Sequence, residues 1–468
     1  MKKLFALLLI SAVVSPVARA ASTHVPSQKE MATQVRAQFL HAWEGYHKYA
    51  WGHDELRPLS NESFDWYGTS LLMTPVDALD TMIVMGLNQE ADEDRQLIDT
   101  QLSFDKDIDV KNFEITIRMV GGLLSSYELT HDPKLLALAD DLGTRLLPAY
   151  NSPTGMPYVY VNLKTGAVRG ESSNPAEVGT LLLEMGTLSR LTNKPVYFEK
   201  AKRAAVAVWD RRSKLNLFGS EINVRTGAWS GGSDAEDANI NGGSDSFYEY
   251  LLKAWLLFHD EDCHRMWETS VAALNQYVAD TVTNPDKTTS LWYGEANINT
   301  GARTGTEYGA LAAFFAGTLA LSGDLDHAKQ LQDSNFRMWN LAGIEPEVID
   351  YRTMKILSPG YQLRPEIIES AYYLYYFTHD PQYRAMGYTF FNAIVKNCRT
   401  PSAFAAISDV RTMKQRDDME SYFFAETLKY LYLLLANPTR IDLSKTVFNT
   451  EAHPLEIAPY NPASAANR

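Results

Sequence analysis

Six steps along the chain put an acidic residue at or beside the start of an apolar, helix-patterned stretch. They are Phe113-Glu114, Ala176-Glu177, Asp245-Ser246, Glu307-Tyr308, Pro365-Glu366 and Asp418-Met419-Glu420, mostly about 50 to 70 residues apart. Carboxyl groups can protonate a leaving group, deprotonate a water or hold a hard cation. If the helices share one ring, their first turns converge at one mouth. Acids distant in sequence would then crowd a single pocket, a plan for acid/base work on an uncharged, hydroxyl-rich substrate.

Each piece also has a plainer reading. Glu114 and Arg118 lie four apart among Phe113, Ile115, Ile117 and Met119. They share a helix face, as an ordinary ion pair or as a carboxyl whose proton affinity is set by desolvation and by the arginine. Glu366 and Glu369 follow Pro365, which fits a first helical turn. Free N–H groups there favour the ionised form of Glu366, as a general base needs, or simply complement the helix start. Asp245 follows Gly242-Gly243-Ser244 and is either a pocket acid or a helix cap. Glu177 and Glu184 lie seven apart after Pro175, which predicts one shared face, and Tyr422 precedes Glu426 by one turn. An aromatic one turn from a carboxylate suits a sugar, with its apolar face and polar rim, and at least one of Tyr422, Phe423 and Phe424 belongs to the core. The ten histidines form no zinc pattern, and no serine-hydrolase, Walker or dinucleotide fingerprint stands in context.

The elements that must position these groups come in pairs. Apolar spacing predicts fourteen helices: 30–50 with one opening at Pro75, 90–101 with 113–129, 134–147 with 175–191, 195–210 with 245–259, 262–280 with 307–321, 324–339 with 365–378, and 382–397 with 418–436. Gly-, Asn- and Pro-rich segments such as 226–244 and 282–306 precede second helices, so the irregular chain gathers at one end. Residues 156–162 suit a short strand in a hairpin. The second helices carry Gly121, Gly122, Gly179, Gly186, Gly309 and Gly317, small residues that suit an inner ring packed on both faces. An open superhelix of helix pairs is the competing architecture. A closed double ring of seven pairs, an all-α (α/α)7 barrel with minor hairpins, is the expectation.

Composition narrows the rest. Lys2 and Lys3, an apolar run from Leu4 to Val14 and Ala18-Arg19-Ala20 make residues 1–20 a secretory leader, leaving 21–468 as one domain. The destination would be the periplasm or the medium. The net charge of −14 repels phosphate backbones and argues against nucleic acid, and no later apolar run is long enough for a membrane span. A monomer is expected. Cys263 and Cys398 either pair or fill small core sites.

These residues resemble glycoside hydrolase family 47, the class I α-1,2-mannosidases, and the chain is read as a bacterial member. The matching stretches are Thr74–Thr81, Phe113-Glu-Ile-Thr-Ile-Arg118, Gly121–Ser125, Asp245-Ser-Phe-Tyr-Glu-Tyr-Leu-Leu-Lys253, Arg364-Pro-Glu-Ile-Ile-Glu-Ser370, Ala425–Tyr432 and Val447-Phe-Asn-Thr-Glu-Ala-His-Pro454. The resemblance implies an (α/α)7 barrel, bound Ca2+, and exo-acting hydrolysis, with inversion, of terminal α-1,2-linked mannose from mannooligosaccharides or high-mannose N-glycans. It further implies Glu114 as general acid acting through a water, Glu366 as general base, and Asp245 as a third catalytic carboxylate. Thr450 would hold calcium through its carbonyl and hydroxyl, and Glu177, Glu369, Glu426 and Glu451 would hold calcium-bound waters. Arg118, Tyr422, Glu177, Glu369, Glu426 and Gly243 would face the glycan. Two departures stand out. Gly243 replaces the Arg or Leu of the eukaryotic processing enzymes, and Ala310, Ala313 and Ala316 stand where the family carries His, Cys and Pro. The alternatives are a mannose-binding module with weak or lost catalysis, or an α/α-barrel glycosidase or lyase for another polysaccharide.

Overall fold

Six of the seven inner helices of the barrel are each released by one residue in the left-handed region. The residues are Gly86, His131, Asn193, His259, Gly323 and His379, with φ between 55° and 93°. In four of the turns the next residue is an aspartate, and Asp132, Asp260, Asp324 and Asp380 cap the following helix by accepting from a first-turn N–H. These tight turns make one end of the barrel plain. The opposite connections, from outer to inner helix, are long and carry the small antiparallel hairpins.

This architecture belongs to a computed structural model that describes residues 25–457, apart from the side chains of residues 233 and 234. The leader expected at 1–20 lies outside the described residues. The helices run α1 (Gln28–Tyr49), α2 (Met73–Met85), α3 (Asn88–Gln101), α4 (Asn112–Ile115), α5 (Gly121–Thr130), α6 (Pro133–Leu146), α7 (Pro175–Gly179), α8 (Leu182–Thr192), α9 (Val196–Trp209), α10 (Asp245–Phe258), α11 (Glu261–Ala273), α12 (Phe314–Ser322), α13 (Leu325–Trp339), α14 (Glu366–Thr378), α15 (Pro381–Asn397) and α16 (Leu428–Leu435). A π turn, Thr116–Val120, joins α4 to α5, and another, Phe423–Thr427, leads into α16. Packing runs from α2 to α5, α8, α10, α12, α14, α16 and back to α2. That circuit is a closed inner ring of seven, with the remaining long helices outside it, and it decides against the open superhelix.

Three expectations need correction. Residues 307–309 are a strand paired with 348–350, so the helix there starts later and Glu307 is exposed on the sheet. The helix expected from 418 starts at the π turn, because Asp418 is held outside it by Arg57 and Arg416. The helix expected over 175–191 breaks at Thr180 and Leu181, which leave helical backbone angles. Of the two readings of the cysteines, the structure has the second: Cys263 and Cys398 are buried and unpaired. Residues 160–162 do form the expected strand.

A last hairpin, Thr446–Phe448 with Pro454–Glu456, enters the ring from the plain end. Its tip is tied to four inner elements. His453 meets Asp80 at 2.7 Å and Asp77 at 3.3 Å, both on α2. Lys429 on α16 reaches Asp80 at 2.8 Å and donates to the Ala452 carbonyl at 2.6 Å. Asn449 donates to the Ile117 carbonyl at 2.9 Å and to Glu184 of α8 at 2.8 Å. Phe448 packs on Tyr430 and Tyr372. The expected small residues are what admit it: a Cβ at Gly121 would lie 2.6 Å from the Asn449 amide nitrogen, and one at Gly122 would lie 2.8 Å from the Val76 carbonyl.

Lys429→Met removes one of the two cations that pair with Asp80 in a dry interior, leaving His453 as its counter-charge, and is expected to cost about 3 kcal/mol, measured by urea unfolding. Gly122→Val is expected to destabilise by about 1–3 kcal/mol through overpacking, measured the same way.

Candidate active site

The hairpin tip closes the ring from below, and the first turns of α4, α7, α10 and α14 open it above. Between them lies a cavity of about 340 Å³. Glu114, Arg118, Glu177, Gly243, Asp245, Glu366, Glu369, Tyr422, Glu426, Thr450 and Glu451 all line it. The residues that the family motifs singled out therefore face one space, whereas Glu184, Glu307, Asp418 and Glu420, also marked in the sequence, do not line it.

Arg118 organises one wall. Its guanidinium donates to Glu114 at 3.1 and 3.2 Å and to Glu451 at 2.7 Å. It lies over the rings of Trp66 at 5.4 Å and Tyr422 at 5.6 Å. The i,i+4 pairing of Glu114 with Arg118 thus forms as expected, although Arg118 sits in the π turn. Lys111 extends the wall, 2.6 Å from Glu177 and 3.9 Å from Glu114. Asn174 caps α7 by accepting from the Glu177 N–H at 2.8 Å, which aims Glu177 at the cavity. Glu184 does not join it. The break in the helix turns Glu184 toward the hairpin, where it accepts from Tyr250 at 2.6 Å and from Asn449.

The opposite wall carries Asp245, Glu366 and Glu369. Asp245 is the first residue of α10, with Ser244 at the cap position making no side-chain cap, so the capping-box alternative does not form. Asp245 accepts from the Ser246 N–H at 2.8 Å, and burial pushes its proton affinity up to about 7. Glu366 opens α14 after Pro365. Burial pushes it up to about 8 against the pull of Arg364, so desolvation overrides the helix-start dipole expected to keep it ionised. Its Oε2 has no protein partner. Glu369 is raised to about 8 by burial despite Lys253 3.8 Å away, and accepts from Tyr430 at 3.2 Å. Burial raises Glu451 to about 8 and Glu426 well above the ordinary range.

A set of buried acids held protonated by desolvation, one oxygen of it unpartnered, around a threonine on a hairpin tip is a donor set that fits a hard, oxygen-loving cation. The Thr450 N–H meets the Tyr250 hydroxyl at 3.2 Å, which fixes the tip. A second acidic group lies behind the Arg118 wall. Carboxylate oxygens of Glu55, Asp418 and Glu420 come within 4.8 Å of one another, a spacing that a metal ion could bridge. Arg57 and Arg416 already pair with Asp418, Arg57 stands 3.6 Å from Glu55, and the Trp66 indole donates to Glu55 at 2.6 Å.

Tyr422 is in the cavity wall, its hydroxyl donating to the Gln362 carbonyl at 2.6 Å. Phe423 and Phe424 are core. Gly243, at φ 93°, lines the cavity where backbone of that hand favours glycine, with Asn174 beside it, and Leu311 and Phe314 also line the cavity. Sequence reasoning passed over Lys111, Asn174, Leu311 and Phe314. Lys111 stood three residues before Glu114, a spacing that could have revealed it. The other three had no local signal.

Known proteins with this arrangement are sugar enzymes. The model of glycosyl hydrolase family 47 matches residues 38–457. Alpha-mannosidase I MNS4 of Arabidopsis thaliana is 38% identical over 452 residues, spanning 92% of this chain and 70% of that protein. ER degradation-enhancing alpha-mannosidase-like protein 2 of Homo sapiens is 35% identical, over 92% of this chain and 78% of its own length. Among solved structures, an alpha-1,2-mannosidase from Trichoderma reesei superposes with a TM-score of 0.82 at 29% identity, covering 93% of this chain and all of that one. These relatives are from a plant, a mammal and a fungus. With a family match over nearly all the described residues and the same toroid of paired helices, the chain belongs to glycosyl hydrolase family 47.

Proposed function

We propose that the protein is a calcium-dependent, inverting exo-α-mannosidase that removes terminal α-1,2-linked mannose from mannooligosaccharides or high-mannose N-glycans. The observation that carries this reading is the convergence of Glu114, Asp245 and Glu366 on one cavity whose floor is the Thr450 hairpin tip. Thr450 would hold the cation, with Glu177, Glu369, Glu426 and Glu451 around it through waters. When bound, calcium would supply positive charge that lets these acids ionise, and coordination sites for sugar hydroxyls.

The chain's own groups do the rest. Glu114, oriented by Arg118, delivers a proton to the glycosidic oxygen through a water as the bond from that oxygen to the anomeric carbon breaks. Glu366 takes a proton from the water that forms the new bond on the opposite face. Inversion needs acid and base about 6.5–9.5 Å apart with water between; residues on opposite sides of a ring mouth can meet this and neighbours on one helix cannot. Asp245 lines the same cavity as a third carboxyl able to take part in proton transfer. Tyr422 offers an aromatic face to the sugar. Gly243, without a side chain, leaves the rim open to more than one glycan branch. An enzyme acting alone in a secretory compartment or the medium is the setting we propose, on the strength of the leader-like first twenty residues; the relatives reported above are eukaryotic and lend no support to the bacterial source expected from the sequence, and no helix of the described residues is long and apolar enough to cross a membrane.

Hydrolysis of α-1,2-mannobiose followed by NMR should release β-mannose first, and a chelator should abolish it. Binding without turnover would favour the mannose-binding alternative, and an unsaturated product would favour a lyase. Glu114→Gln and Glu366→Gln should each lower the rate by roughly 10²–10⁴-fold. Thr450→Ala should weaken calcium affinity by calorimetry far more than Glu420→Gln; the reverse order would move the ion to the Glu55 cluster.

The metal-free protein should also show a distinctive pH dependence. Glu366, Glu369 and Glu451 hold protons to about pH 8 when folded, against 4.5 ordinarily, so the folded state binds more protons in that window. Their contribution is fully present below pH 4.5 and lost as pH rises through 8. The melting temperature of chelated protein should therefore fall across this range, and calcium should flatten the slope.

A further inference from the structure

Behind the base lies an acid that the reaction does not use. Glu345 sits in the segment between α13 and the strand Val348–Asp350 and is 0% exposed. Neither of its carboxyl oxygens has a protein hydrogen-bond partner. The Oε2 of Glu366 is likewise buried without one, as is the indole nitrogen of Trp339. These groups belong to one region. Trp339 packs edge-on against Tyr361 with centroids 5.9 Å apart, and Tyr361 feels the charges of both Glu345 and Glu366. The charged and titratable groups that act on Glu345 are Glu366, Glu347 and Arg364, and Tyr308 in turn feels its charge. Arg364 is already engaged, donating to Glu347 at 3.1 and 3.2 Å. No cation is therefore free to compensate a charge on Glu345. A buried carboxylate with no donor and two acidic neighbours would be costly, whereas a neutral carboxylic acid carries a donor of its own. Buried donors and acceptors without protein partners are commonly satisfied by ordered water, which makes about three hydrogen bonds.

We propose that Glu345 is a positioning residue for Glu366: a neutral carboxylic acid that donates its proton, through an ordered water, toward the inward oxygen of the base. This rests on the reading of Glu366 as the base. The donated hydrogen bond favours the ionised form of Glu366 and leaves its other oxygen to the reacting water. Because Glu345 stays neutral, it adds no repulsion to a cavity already crowded with acids.

The sign of the effect separates this from the alternatives. Glu345→Gln keeps a donor and the shape, so kcat and the acid limb of the kcat/KM–pH profile should stay within twofold and about 0.2 pH unit of the parent, on the scale where one unit is tenfold. Glu345→Leu removes the donor. It should move the acid limb to higher pH and lower kcat about tenfold at pH 6, with KM within twofold and with recovery at higher pH. An acid limb moved to lower pH in both variants would mean that Glu345 is ionised and would overturn the proposal, as would profiles identical to the parent in Glu345→Leu. Infrared difference spectra of parent minus Glu345→Gln, taken near neutral pH without substrate, supply an answer independent of activity and of whether the leucine variant folds. Loss of a protonated carboxyl band supports the assignment and loss of a carboxylate band overturns it. If the parent hydrolyses no α-mannoside, it is the reading of Glu366 that fails, and the infrared result still decides the state of Glu345.

Discussion

The pocket depends on a buried ion cluster that has no part in the chemistry. Asp77, Asp80, His453 and Lys429 hold the last hairpin inside the inner ring, with Asp80, Lys429 and His453 wholly removed from solvent. Burial and ion pairing pull in opposite directions here, and pairing wins: Asp80 is held down to about 2 and His453 is held up to about 9. A half-dismantled cluster would leave unpaired charge in a low-dielectric interior, so the hairpin has one deep position and poor alternatives. That position puts Thr450 and Glu451 level with the first turns of the inner helices. A ring without the hairpin would have a through-hole where the floor now stands.

With the floor in place, the second constraint is the crowding of carboxyl groups. Arg118 neutralises Glu114 and Glu451 on one side, and Lys253 lies under Glu369 on the other, yet acids still outnumber the cations that face the cavity. Burial therefore decides how Asp245, Glu366 and Glu369 titrate. The two walls differ in their surroundings: Arg118 and Lys111 stand beside Glu114, whereas Glu366 is buried with one oxygen unpartnered. Burial keeps a proton on Glu366 in the metal-free cavity, and positive charge placed there would release it.

Much of this was legible in the chain. Helical apolar spacing showed the pairs, and glycines in the second helices marked the inner ring, because only elements packed on both faces need so many small residues. The acids at helix starts and the family motifs named the cavity residues. What stayed hidden was non-local. The strand at 307–309 owes its form to pairing with 348–350, a partner about forty residues on. The break after Gly179 cannot be seen in a continuous apolar run, and it is what sends Glu184 to the hairpin instead of the pocket. The helix-start dipole at Glu366 was visible, but the desolvation that outweighs it is a property of the closed ring. One regular signal was present and unused: His131-Asp132, His259-Asp260, Gly323-Asp324 and His379-Asp380 punctuate the chain at four of the points where an inner helix hands over to an outer one.

The whole account turns on where a cation sits relative to the hairpin tip. Anomalous X-ray scattering from crystals of the protein grown with calcium, or with a lanthanide in its place, locates the ion directly. The account requires a single strong peak against the Thr450 carbonyl and hydroxyl, inside the ring of Glu369, Glu426 and Glu451. A peak confined to Glu55, Asp418 and Glu420, or no peak in the cavity at a saturating concentration, would contradict it.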